Sequence, residues 1–207
     1  MGMSGWGLEV GGGTQTLRED LALRVGQTTP ADMVRGLFFL GTLEVVREWV
    51  GEEGVLDCLV AGGEPRFMEF FNYPVGAYLR MNEAAARVLA PRCGGWEEAQ
   101  RQLGRRAMED LLKSAAGKTL MLVARGETRR LVSHLPSAYR AVVNYGERSV
   151  MWEGPTRGRL VMRREFLPCA YHEGLLLAAL GRQKARAVEV RASRLGPLES
   201  EYLLSWE

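Results

Sequence analysis

The chain is poor in the residue types that most often carry chemistry. It has three cysteines and two histidines in 207 residues. Cys58, Cys93 and Cys169 lie far apart, their count is odd and no CxxC pair occurs, which excludes a disulfide framework and fits a reducing compartment. Zinc takes three or four protein ligands, and this scattered supply argues against such a site. Long apolar runs are missing too, so nothing reaches the ~20 residues that span a bilayer. The opening "MGMSGWGLEVGGGTQ" has no basic n-region and no apolar h-region. Trp6 stands where a myristoylation signal needs Ser or Thr. A net charge of +2, with acids interleaved among the arginines, is not the basic footprint of a nucleic-acid binder. The expectation is a cytoplasmic protein with no nucleic-acid partner and no membrane insertion.

What is present is ordinary globular material, 46% hydrophobic and 25% charged. A chain this long can bury about 70% of its unfolded surface without staples. Residues 1–28 read as a partly flexible leader jointed at Gly11–Gly13, and residues 29–207 as one domain, mainly helical over 29–146 and sheet-containing over 147–207. Thr29 and Pro30 suit a helix start. A short turn or strand and a helix from about Leu40 to Val50 follow. Further helices fit "EGVLDCLV", the stretch after Pro74, and "WEEAQRQLGRRAMEDLLKSAAG", with Gly117 as the stop of the last. The helical half continues to Gly146. "RSVMWEGPTRGRLVMRREF" then reads as a hairpin, Pro168 opens a helix that Gly181 closes, and two alternating strands end the chain. The fold class is therefore α+β: an N-terminal helical half packed on an antiparallel sheet of order strand–strand–helix–strand–strand.

Three places invite a chemical reading. Gly117-Lys118-Thr119 is the tail of a P-loop, but Leu112 occupies the earlier glycine position and a helix precedes it. Its amides cannot turn inward to cradle phosphate. "FLPCAYHEG" gathers Cys169, Tyr171 and His172 at a helix start, with Cys169 and His172 at i and i+3 on one side of the first turn. A helix N-terminus and a neighbouring imidazolium would favour a thiolate. No orienting third residue and no oxyanion hole can be named, so the cluster reads first as the start of a core helix. A ligand pocket built from Phe166, Cys169, Tyr171 and His172 is the alternative. Gly174, one turn in, predicts a close approach of this helix to the sheet. His134 stands apart on the preceding helix.

In order, "VRGLFFLGTLEVV", "YPVGAYLRMNEAAARVLAP", "EEAQRQLGRRAMEDLLKSAAGKTL", "LPSAYRAVVNYGERSV", "FLPCAYHEGLLLAAL" and "RLGPLESEYLLSW" resemble a Myxococcales-restricted paralogous family of unknown function over about residues 33–206. The C-terminal half is more distantly similar to vinyl-4-reductase-type and haem-NO-binding domains. That resemblance implies an α+β fold that binds haem or small hydrophobic molecules, or serves as a tethering scaffold. In the haem branch a histidine on the helix before the hairpin ligates iron, and His134 is in that place. The branch's Tyr-x-Ser-x-Arg on a hairpin strand is absent, because "LVMRREF" has neither Tyr nor Ser. The combined expectation is a non-enzymatic regulatory or sensory module without a cofactor, binding a small hydrophobic molecule or a protein partner. The alternatives are a scaffold domain that self-associates into a homo-oligomer and a haem sensor using His134.

Overall fold

The structure is a computed structural model that describes residues 11–183 and 185–207, the first five of them by backbone alone. Residues 1–10 of the expected leader lie outside the described residues. From Gly11 the expected leader is helical: α1 runs Gly11–Gly26. Arg24 on its last turn is buried.

Thr29 and Pro30 do not start a helix. The Asp32 carboxylate instead accepts hydrogen bonds from Thr29 N at 2.7 Å and Thr29 Oγ1 at 2.9 Å, which closes a turn into β1 (Met33–Arg35). Helix α2 (Gly36–Trp49) begins four residues before the expected Leu40. Its first free amides have partners: Gly36 N donates to Phe71 O at 2.8 Å and Leu37 N to Glu69 O at 3.1 Å. A Cβ at Gly36 would stand 2.0 Å from Met68 O, so glycine lets the two segments touch. After α3 (Glu52–Gly62), β2 (Asn72–Pro74) pairs antiparallel with β1, and α4 (Val75–Cys93) starts after Pro74 as the sequence predicts.

Helix α5 (Trp96–Lys113) stops before Gly117. Ser114 caps a new helix, α6 (Ala115–Ala124), its Oγ accepting from Gly117 N at 3.2 Å. Gly117 lies inside that helix, where a Cβ would meet Leu111 O at 2.0 Å. Helix α7 (Thr128–Arg140) leads to the sheet half. That half holds β3 (Glu147–Trp152), β4 (Arg157–Arg163), α8 (Cys169–Gly181), β5 (Glu189–Gly196) and β6 (Glu199–Ser205). The four strands form one antiparallel sheet in the order β3-β4-β6-β5. Period-two alternation sends Leu160, Met162, Tyr202 and Leu204 to its inner face, all fully buried.

Helix α8 is apolar on most sides because it lies between the sheet and α5. Gly174 serves the α5 contact rather than the expected sheet contact. A Cβ there would come within 2.0 Å of Arg101 O, and one at Gly104 on α5 within 1.8 Å of Tyr171 O. This glycine crossing presses the first turn of α8, with Tyr171 and His172, into the centre of the molecule. No helix among the described residues is long and apolar enough to cross a membrane.

Candidate functional site

A cavity of about 30 Å³ lies where the helical half meets the sheet half. Val34, Phe38, Leu135, Val142, Val143 and Leu175 supply its apolar lining. One wall is polar: Tyr78 from α4, Tyr139 from α7, Arg148 from β3, Glu165 from the β4–α8 linker, and Tyr171 and His172 from α8. Space for about 10–15 Å³ of probe volume holds one water, so the cavity suits a guest of very few heavy atoms.

Arg148 sits on the inner face of β3, its side chain only 2% exposed, and its guanidinium donates to Glu165 Oε2 and to Tyr145 O. Glu165 Oε1 accepts from Phe166 N at 3.0 Å and Leu167 N at 3.2 Å. His172 Nε2 lies 3.3 Å from that oxygen, out of hydrogen-bonding alignment, while Nδ1 pairs with Tyr139 OH at 3.0 Å. Tyr78 OH meets Tyr171 OH at 3.0 Å and Thr42 Oγ1 at 3.2 Å. Arg148 also stacks on the Tyr139 ring at 4.8 Å. Two buried nitrogens on this wall, Arg148 Nε and His172 Nε2, have no hydrogen-bond partner among the described residues.

Burial alone would raise the Glu165 carboxyl, but the charge of Arg148 and the hydrogen bonds it accepts outweigh that and hold it well below the usual carboxylate range. Burial pushes the Tyr139 and Tyr171 phenols upward; Glu165 adds to this at Tyr139, and Tyr78 at Tyr171. The phenols stay neutral hydrogen-bonding groups, and the wall is one ion pair set among them.

Of the four residues expected to share a pocket, Tyr171 and His172 reach this cavity and the other two do not. Phe166 is fully buried beneath α1, its ring 5.0 Å from that of Tyr145. Cys169 faces Tyr202, and burial pushes its thiol up, opposite to what a reactive thiolate needs. His134 is exposed on the outer side of α7, in a surface groove against α6, while Leu135 and Tyr139 of the same helix face the cavity. Among the described residues no group of three or more His, Cys, Asp or Glu could hold a metal ion. Sequence reasoning missed Arg148 and Glu165. The signal was Arg148 itself, which alternates in phase with Val150 and Trp152 and so falls on the inner face of its strand.

The family described as "Protein of unknown function (DUF2378)" matches residues 27–207. No curated protein matches the chain. Among solved structures, the chain is similar to an H-NOX protein from K. algicida in its unliganded Fe(II) form, at 11% identity and TM-score 0.65, covering 84% of this chain and 96% of that one. An H-NOX protein from S. oneidensis in the Fe(II)NO state matches at 12% identity and TM-score 0.59, over 84% and 99% of the two chains. A third, from work on haem distortion in the H-NOX family, matches at 10% identity and TM-score 0.62, over 84% and 95%. At these identities the likeness is one of fold.

Proposed function

From the premise that the chain belongs to the DUF2378 family, we propose that it is a non-enzymatic regulatory or sensory module on an H-NOX-like fold. It takes a very small apolar ligand between its two halves and works without haem. The observation that carries this reading is the apolar cavity closed by a buried ion pair. Such a pair rarely adds net stability over a well-packed apolar replacement. Both partners belong to the sheet half and line the cavity from that side, a discrete contact that a guest in the cavity would bias, and ligands act by differential affinity for two arrangements.

The residues present do not fit a porphyrin. The cavity of about 30 Å³ is far below the ~300–1,000 Å³ of cofactor-sized pockets. His134 points to solvent, and His172 is engaged with Tyr139 on one nitrogen and faces Glu165 with the other. Purification from haem-supplemented cells, followed by native mass spectrometry and an absorbance scan, tests this. The expected result is the bare chain mass with no Soret band; a one-to-one haem adduct would overturn it. Ligand entry is tested with a small apolar probe such as xenon.

One observation favours interaction with a protein as a second reading. Leu56 and Val60 on α3 are 62% and 83% exposed, and Phe70 and Phe71 before β2 are 74% and 57% exposed. Exposed apolar clusters of this kind mark interaction sites. Light scattering over a concentration series, with Val60→Asp as control, distinguishes a self-associating face from an inert one.

A further inference from the structure

We propose that α1, which precedes the family-matched region, is the output arm of the cavity. It would be released when the Arg148–Glu165 contact opens. This rests on the reading of that cavity as the sensing site.

The argument is a short chain of hydrogen bonds through one backbone segment. Arg24 on α1 donates from Nη1 to Phe166 O and Leu167 O, both at 3.2 Å. On their amide side the same two residues donate to Glu165 Oε1, at 3.0 and 3.2 Å. The stretch Glu165–Leu167 is thus held by the cavity's carboxylate through its N–H groups and by α1 through its C=O groups. The two ends also share supports. Glu165 N donates to Leu198 O at 3.0 Å, and Asp20 of α1 bonds both Arg24 at 2.5 Å and Arg194 of β5 at 2.9 Å. If Glu165 swings away from Arg148, Phe166 N and Leu167 N lose their acceptor, the segment turns, and the two carbonyls leave Arg24.

The seat of α1 suits a helix meant to come off. Beneath it lies a cavity of about 20 Å³ lined by Leu17, Leu21 and Arg24 on one side and by Asn82, Gln100 and Phe166 on the other. Asn82 Nδ2 and Gln100 Oε1 there are buried without a partner among the described residues. Unsatisfied polar atoms weaken an interface, and Arg24 on the cavity side and the Asp20–Arg194 pair on the sheet side tie the helix across it. The residues matched by the family begin at position 27, just beyond α1.

The test is amide hydrogen exchange on the full chain, which reports local opening free energies. Glu165→Ala, which removes the acceptor of Phe166 N and Leu167 N, is expected to raise exchange in α1 at least ~10-fold more than in α3. Should that variant lose its cooperative transition, Arg24→Ala reads the same coupling from the other end, with exchange expected to rise at residues 165–172. Cys169, close enough to Arg24 to feel its charge, should then label faster with a thiol reagent. An α1 exchange that rises no more than that of α3 in a folded Glu165→Ala protein, or unchanged exchange at 165–172 and Cys169 labelling in Arg24→Ala, would overturn the proposal. Xenon-induced shifts of the cavity methyls in wild-type protein report on the sensing reading separately. Shifts without coupling would overturn the output arm alone, and coupling without shifts would overturn the ligand.

Discussion

Glu165→Gln swaps a buried carboxylate for an amide of the same shape. The amide oxygen still accepts from Phe166 N and Leu167 N, so what the variant loses is charge. Arg148, with 2% of its side chain exposed, then keeps a guanidinium without a counter-ion. Removing one partner of a buried pair costs about 3–5 kcal/mol, against a total stability of about 5–15 kcal/mol. Arg148→Met should cost a similar amount for the mirror reason, since it leaves Glu165 charged and unpaired. The double variant removes both charges, and such replacements range from neutral to stabilising. We therefore expect it to cost less than either single variant, with a coupling energy beyond the ~0.5–3 kcal/mol usual for contacting residues. Urea denaturation followed by circular dichroism gives all three values. A Glu165→Gln cost under about 1 kcal/mol, or a double variant costing the sum of the singles, would refute the description of this wall as a desolvated ion pair.

Three further outcomes follow from other contacts. Gly104→Ala or Gly174→Ala forces a methyl against a main-chain carbonyl at 1.8 or 2.0 Å. Each should cost about 3 kcal/mol or more, at the top of the overpacking range, and a loss under about 1 kcal/mol would mean that α5 and α8 separate easily. Arg164, hydrogen-bonded to Asp32 at 2.7 Å through both nitrogens, holds that carboxyl down to about 2. Because the folded value lies below the unfolded ~3.9, the contribution is present above pH ~4 and lost as pH falls toward 2. Arg164 is 43% exposed, so screening limits the effect to about 1 kcal/mol. Asp32→Asn should flatten melting temperature against pH in that window, and an unchanged slope would contradict the assignment. His134→Ala, at an exposed position away from the cavity, should change stability by less than about 0.5 kcal/mol and leave the absorbance spectrum as it was.

The sheet half was legible because alternation is a strong local signal. Tyr202 and Leu204 declare their face, and Gly154-Pro155 and Pro168 mark the hairpin turn and the helix start. The helical half was legible where a break coincided with a loop, as at Pro74. It was misread at Gly117, as the sheet half was at Gly174, because a glycine placed for close helix contact looks in sequence like a terminator or a sheet contact. The start of α2 was hidden because its first amides are satisfied by Phe71 and Glu69, which a local reading cannot see. The site was half legible. Tyr171 and His172 stood out as a cluster, but the Arg148–Glu165 pair joins residues on two elements, and its meaning depends on burial from both halves. Phe166 and Cys169 are sequence neighbours of the site that the helix turn directs elsewhere.

The central claim is that the wall around Arg148, Glu165 and His172 encloses a site for a very small apolar guest. The most direct measurement is methyl NMR of the full chain under xenon pressure. The account predicts saturable shifts confined to methyls of Val34, Leu135, Val142, Val143 and Leu175, lost when Val142→Leu fills the space. No shift at any pressure, or shifts spread evenly over surface methyls such as those of Leu56 and Val60, would contradict it.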